Sequence, residues 1–232
     1  MIRMKIVELP IDFDFNGEKQ RIYPSLISYK DQLTLVDTGY PNFLPIIEKE
    51  ITKYGLDIKK LNNIIMTHYD IDHIGSLKDF KTKYPWINII TSEVESKFIS
   101  GEVKSERLIQ AEELLEKLPN EEKEFGQWFI QRLKNLKHVS VDHKVRDGDT
   151  ILEGNCIIVE TPGHTSGHIS LFIPSLHSVI TGDAAVNENQ KLAIANPQFC
   201  LDINEAEKSL RKIENLNANT YYCYHGGKLV LK

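Results

Sequence analysis

A chain of 232 residues, 41% hydrophobic and 26% charged, can bury a sizeable core and has the balance of an ordinary globular protein. Its formal net charge of -5 gives no general basic footprint for nucleic acid, and its three cysteines, Cys156, Cys200 and Cys223, are too few and too scattered for a disulfide framework or a thiolate zinc cluster. No apolar run reaches the roughly 18 residues of a membrane span, and Met1 to Pro10 lacks the continuous apolar segment of a secretory signal. The expectation is one domain over 1–232 in the cytoplasm, with no nucleic-acid partner and no membrane.

In chain order, Lys5 to Leu9, Ile22 to Tyr29 and Gln32 to Val36 read as strands, with Asn16-Gly17 and Lys30-Asp31 as turns between them. Asp37-Thr38-Gly39 closes the third. Pro45 to Tyr54 reads as a helix ending at Gly55, its apolar face carried by Ile46, Ile47 and Ile51. Asn63 to Met66 is a buried strand that opens onto Thr67-His68-Tyr69-Asp70-Ile71-Asp72-His73, and a helix is expected to start within Ile74 to Leu77 and run to Tyr84. After a strand at Asn88 to Thr91, the segment from about 92 to 136 changes character. Leu108, Ala111, Leu115 and Leu118 recur at helical spacing, and Phe125, Trp128, Phe129 and Leu133 follow Pro119. This predicts two amphipathic helices as an insert over the sheet edge, positioned to supply aromatic residues to a substrate pocket. Taken singly, Trp128 and Phe129 read instead as core anchors.

The second half repeats the theme of an apolar strand ending in polar loop chemistry. Ile151-Leu152 and Cys156 to Glu160 lead to Thr161-Pro162-Gly163-His164-Thr165-Ser166-Gly167-His168. Ile169 to Ile173 and Ser178 to Thr181 are strands, the latter ending at Gly182-Asp183-Ala184. Asn204 to Leu216 is a helix, and Thr220 to Cys223 a strand delivering His225-Gly226-Gly227. Alternation of strands and helices in both halves favours α/β layers.

Four loops thus offer His or Asp just after a strand, and ligands converging from several strand ends are what a metal site needs. In an extended backbone, residues two apart point the same way, so His68 and Asp70 can grip one ion while Asp72 and His73 turn toward a second. Cys223 reads as a buried thiol, and His138, His143 and His177 as surface residues.

Taken together, Asp37 in Val-Asp-Thr-Gly, the His68 to His73 cluster, His164 in Thr-Pro-Gly-His, Asp183 in Thr-Gly-Asp-Ala and His225 in Tyr-His-Gly-Gly resemble the metallo-β-lactamase superfamily in their order. The resemblance runs from about Leu35 to Gly227. It implies a four-layer αββα sandwich with two divalent metal ions, zinc foremost and iron or manganese as alternatives. In that pattern His68, residue 70 and His164 hold the first metal, Asp72, His73 and His225 hold the second, and Asp183 bridges them. Asp37 orients a ligand, and His168 supports its loop. The departure is Asp70, since H-x-D-x-D-H stands where the family has H-x-H-x-D-H. With histidine there, two divalent ions, two aspartates and a bridging hydroxide leave one positive charge, which Asp70 cancels. A more neutral site would bind anionic substrates less well and favour harder metals. An Asp70 that does not ligate, with a single ion bound, is the alternative.

The implied function is a metal-dependent hydrolase that directs a metal-bound hydroxide at a small ester, thioester, lactone or amide, with Asp72 and Asp183 as catalytic residues. Tyr69 and Tyr224 are candidate oxyanion donors. The His164 motif resembles the lactonase-like and glyoxalase-II-like branches, although Val186 stands where acyl-homoserine lactonases commonly have tyrosine. The other readings are a phosphodiesterase, iron-dependent oxygen chemistry, and a non-catalytic ligand sensor with a modified metal site. The partner expected is a small-molecule substrate; oligomeric state is not legible.

Overall fold

Short apolar runs punctuated by Gly, Pro and Asn build the first half in chain order. Strand β1 (Lys5–Glu8) precedes a hairpin of β2 (Ile11–Phe15) and β3 (Glu18–Ile22), then β4 (Ser25–Tyr29), β5 (Gln32–Val36), helix α1 (Leu44–Lys53) and β6 (Leu61–Ile65). The one-turn helix α2 (Ile71–Ile74), α3 (Leu77–Lys83), β7 (Asn88–Ser92), helices α4 (Glu93–Ile99), α5 (Glu106–Leu115) and α6 (Asn120–Lys134), and β8 (His143–Val145) follow. The second half runs β9 (Thr150–Ile151), β10 (Cys156–Glu160), β11 (Ile169–Ile173), β12 (Ser178–Gly182), a hairpin of β13 (Val186–Glu188) and β14 (Lys191–Ala193), α7 (Ile203–Glu214), β15 (Thr220–Cys223) and β16 (Gly227–Val230). These coordinates come from a computed structural model that describes residues 4–15 and 17–231. Met1, Ile2 and Arg3 of the N-terminal stretch, and Asn16 of the Asn16-Gly17 turn, lie outside the described residues.

Two six-stranded sheets result, ordered β1-β4-β5-β6-β7-β8 and β16-β15-β12-β11-β10-β9. Strand alternation sorts their side chains into three apolar layers. Leu35 and Ile64 pack with Ile47, Ile51 and Phe80 from α1 and α3. Their chain neighbours Val36 and Ile65 face the other way, onto Ile158, Leu171 and Ile180 of the second sheet. Val179 and Tyr221, on the far face of that sheet, meet Ile213 of α7. The order helix, sheet, sheet, helix is the αββα sandwich expected from the motifs. Among the described residues no helix is long and apolar enough to cross a membrane.

Several local expectations are corrected. The run Ile22 to Tyr29 is broken at Pro24, which has no N–H for a ladder, so Ile22 ends β3 and Ser25 starts β4. The β2–β3 and β13–β14 hairpins and the edge strand β8 were not anticipated. The insert holds three helices rather than two: Ser92 Oγ accepts the Glu95 N–H at 3.1 Å and starts α4, the Ser-x-x-Glu signal of a helix N-terminus. Helical structure also begins earlier than expected, inside the His68 to His73 cluster, with Asp70 as the extended residue preceding α2.

Candidate metal centre

The strand ends deliver the predicted residues to one place. His68 and Asp70 leave β6, Asp72 and His73 sit on α2, and His164, Asp183 and His225 follow β10, β12 and β15. His68, His164 and Asp183 form one group and Asp72, His73 and His225 another, each offering ligand atoms that all lie within 4.8 Å of one another. Asp183 stands between the groups. Its Oδ1 is 3.4 Å from His73 Nε2, and its Oδ2 is 3.4 Å from His164 Nε2 and 3.6 Å from His225 Nε2. His225 Nε2 is also 3.3 Å from Asp72 Oδ2.

His68 Nε2, His73 Nε2 and Asp183 Oδ1 are buried without a hydrogen-bond partner among the described residues. Each such orphan costs about 1–3 kcal/mol unless something else meets it. Unpartnered imidazole nitrogens and a carboxylate oxygen, gathered in two adjoining groups, are donors of the kind that hold divalent cations such as zinc. The residues therefore fit the metal that the motifs imply.

The surrounding contacts fix those atoms. Asp37 Oδ1 accepts the Thr67 N–H at 2.9 Å, while its Oδ2 lies 2.8 Å from His73 Nδ1, which turns the other ring nitrogen of His73 into the cluster. Asp37 holds this position at φ 63, a left-handed conformation unusual for a residue other than glycine. His168 does not join the ligand atoms. Its Nε2 accepts the Asp183 N–H at 2.9 Å and its Nδ1 meets Thr161 Oγ1 at 2.8 Å, locking the loop that carries Asp183. Gly163 is needed beside His164: at φ 128 a Cβ there would stand 2.1 Å from the Ala206 nitrogen of α7.

Asp70 departs from the expectation of a lone extra negative charge. Arg107 of α5, only 2% exposed, donates from Nε to Asp70 Oδ1 at 3.1 Å and from Nη2 to Oδ2 at 2.8 Å. Asp70 Oδ2 is also 3.0 Å from His164 Nε2 and 3.6 Å from His68 Nε2. Burial pushes the Asp70 carboxyl up, but Arg107, His164 and His68 outweigh it and hold it well below the usual carboxylate range. The positive charge that Asp70 was expected to cancel is restored by Arg107. The charge-based ground for expecting weaker binding of anionic substrates therefore falls away.

Other side chains resolve into supports. Tyr69 Oη accepts the Arg107 N–H at 3.1 Å and donates to Glu106 Oε2 at 3.4 Å, and Tyr224 Oη donates to the Asp72 carbonyl at 2.5 Å, so both phenolic protons are already engaged rather than free for an oxyanion. Glu95 of α4 accepts from the Thr165 hydroxyl at 2.6 Å and the Gly167 N–H at 3.1 Å, beneath the His164 loop. Burial pushes its carboxyl up to about 8 against those hydrogen bonds. All three cysteines are free and buried. His138, His143 and His177 are exposed, as expected, with His143 on the edge strand β8.

A cavity of about 830 Å3 opens above Asp70, Asp72, His164, Asp183 and His225. Its walls include Phe15 and Tyr40 from the first sheet's side, Phe125, Trp128 and Phe129 from α6, and Val186 from β13. Trp128 is 37% and Phe125 53% exposed, so the α6 aromatics are pocket wall, and the core-anchor reading of Trp128 is overturned. Arg107, Tyr40 and Arg132 are the site residues that sequence reasoning missed. A buried aspartate in a histidine's place did call for a compensating charge, but nothing in the chain's pattern singled out Arg107.

Comparison with known proteins agrees with this architecture. The family model described as the metallo-beta-lactamase superfamily matches residues 21–225. The beta-lactamase-like protein 2 homolog of Caenorhabditis elegans is 26% identical over 196 residues, covering 83% of this chain and 51% of that protein, so the chain spans about half its length. The probable metallo-hydrolase YflN of Bacillus subtilis (strain 168) is 24% identical over 219 residues, 87% of this chain and 78% of the relative. Among solved structures, a metallo-beta-lactamase family protein from Thermus thermophilus superposes with a TM-score of 0.73 at 18% identity, over 97% of this chain and 74% of that one. With the family model spanning most of its length, the chain belongs to the metallo-beta-lactamase superfamily.

Proposed function

We propose that this chain is a metal-dependent hydrolase of a small ester, thioester, lactone or amide, built to hold two divalent ions. The observation that carries the reading is the convergence of two ligand groups, with buried unpartnered His68, His73 and Asp183 atoms, at one cavity lined by Asp72, His164, Asp183 and His225. His68, His164 and Asp183, with Asp70 alongside, would hold the first ion; Asp72, His73 and His225 would hold the second, with Asp183 shared. Zinc suits this nitrogen and oxygen set best, and the carboxylates also admit iron or manganese. When bound, such ions make water a competent nucleophile near neutral pH and polarise a substrate carbonyl.

The chain's own residues divide the remaining work. Asp183 faces histidines of both groups through its two oxygens and so sets their separation. Asp72 is the more open of the two catalytic aspartates, its side chain 17% exposed against 6% for Asp183, and it lines the cavity. It is therefore the group placed to exchange a proton with a leaving group. Arg107 holds Asp70 in register with His68 and His164. Helix α6 walls the cavity with Phe125, Trp128 and Phe129, an aromatic face suited to the apolar part of a substrate, while α5 contributes Arg107.

A panel of aryl esters, thioesters and lactones tests the reading. Metal-loaded protein should turn over at least one class, lose that activity to a chelator and regain it with metal. Stoichiometric metal without turnover of any class would make the protein a binding module instead.

A further inference from the structure

The cavity has an unused cation at its roof. Arg21, Arg107, Arg146 and Arg211 each lie within ion-pairing distance of a carboxylate, on Asp12, Asp70, Glu93 and Glu207 respectively. Arg132 is the one described arginine with no such partner, and its guanidinium donates no hydrogen bond to a described residue. It lines the cavity and rests 4.9 Å above the Trp128 ring, four residues back on the same face of α6. Stacking on an aromatic face orients a guanidinium and leaves its N–H groups free in the plane, the geometry that grips a carboxylate. Glu188 is also on the cavity wall but forms no ion pair with Arg132.

An aromatic path joins this cation to the centre. Ring centroids step from Phe125 to Trp128 at 5.4 Å, Trp128 to Phe15 at 6.0 Å and Phe15 to Tyr40 at 6.1 Å, and Tyr40 lines the cavity beside Asp72. Such a wall accepts an apolar aryl or acyl body between two polar ends.

We infer that the cavity selects a substrate whose carboxylate is set apart from its scissile carbonyl by an apolar aryl or acyl body, the carboxylate being taken by Arg132. The assignment of the scissile end rests on the hydrolase reading; the carboxylate subsite rests on Arg132 and Trp128 alone. The two are separable by experiment. The chain has two tryptophans, so in a Trp86→Phe background Trp128 reports binding by its fluorescence. With metal-loaded protein, 4-phenylbutyrate should bind about tenfold or more tightly than 4-phenylbutyramide, the gain of a charge-assisted pair. Arg132→Gln should remove that preference, and Arg132→Lys should retain part of it. Equal affinity for the two probes overturns the inference, as does a preference that survives Arg132→Gln, which would trace it to the bound ions. In turnover, monophenyl glutarate should surpass phenyl butyrate in kcat/KM, chiefly through KM, and Arg132→Gln should erase the difference. If neither these esters nor any class of the ester, thioester and lactone panel is cleaved while the binding preference holds, the hydrolase reading fails and the subsite stands. Cleavage of both esters without preference sinks the subsite alone.

Discussion

Replacing Arg107 by methionine tests how the Asp70 substitution is tolerated. The wild-type pair is buried, with side-chain exposures of 3% for Arg107 and 10% for Asp70, and bidentate, at 3.1 and 2.8 Å. The guanidinium also donates to Gln110 Oε1 at 2.7 Å and lies 5.7 Å from the Phe199 ring. Removing one partner of a buried pair leaves the other uncompensated, at a cost of about 3–5 kcal/mol. For a chain of this size that corresponds to a fall in Tm of roughly 6–20 °C. The double variant Arg107→Met/Asp70→Asn removes both charges and should recover most of the loss, giving a strong coupling in a double-mutant cycle. Thermal and urea unfolding of the metal-replete and chelator-treated protein provide the assay. A loss below about 1 kcal/mol, the range of exposed ion pairs, or a double variant no better than the single one, would refute the claim that Arg107 offsets Asp70.

Three further outcomes follow from the geometry around the ligands. Asp37→Asn should weaken metal affinity by about 10–100-fold in chelator competition, because His73 loses the carboxylate that fixes its ring. Gly163→Ala should cost at least ~1–3 kcal/mol from backbone strain, since φ is 128 and its Cβ would collide with the α7 backbone, and metal retention at His164 should fall with stability in the same unfolding titration. Glu95 is protonated in the folded state up to about 8 but sheds its proton near 4.5 when exposed. Its folded pKa therefore lies above its unfolded one, and stability declines as pH rises through that window. Glu95→Gln keeps an acceptor for Thr165 and Gly167, so it should flatten the pH dependence of Tm and stabilise the protein at alkaline pH; an unchanged slope would show that Glu95 is ionised when folded.

The α/β layering was legible because apolar runs and glycine-bounded loops are local signals that alternate in both halves, whereas the four-layer arrangement followed from the motifs' resemblance to a known superfamily. The seven His and Asp positions were legible for the same reason: each follows a strand, and strand ends share an edge. Pro24, by contrast, splits a run whose composition alone looks continuous. The Ser92-x-x-Glu95 start of α4 was visible but lay beneath a segment read for its apolar spacing. Arg107 and Arg132 were out of reach because their roles are set by which face of the insert meets the cavity. That is a tertiary fact: Arg107 is buried against Asp70, 37 residues earlier, while Arg132 is held by Trp128 on its own helix. The expectation of a site made more neutral by Asp70 fails on the first of these contacts.

Metal content per chain, measured on protein purified without chelator and paired with hydrolysis before and after metal removal, bears most directly on the whole account. It predicts about two divalent ions per chain, a smaller number in His73→Ala and Asp183→Ala, and an ester-cleaving activity that disappears and returns with the metal. Protein that carries no stoichiometric metal, or that cleaves the same substrates equally well after chelation, would contradict it.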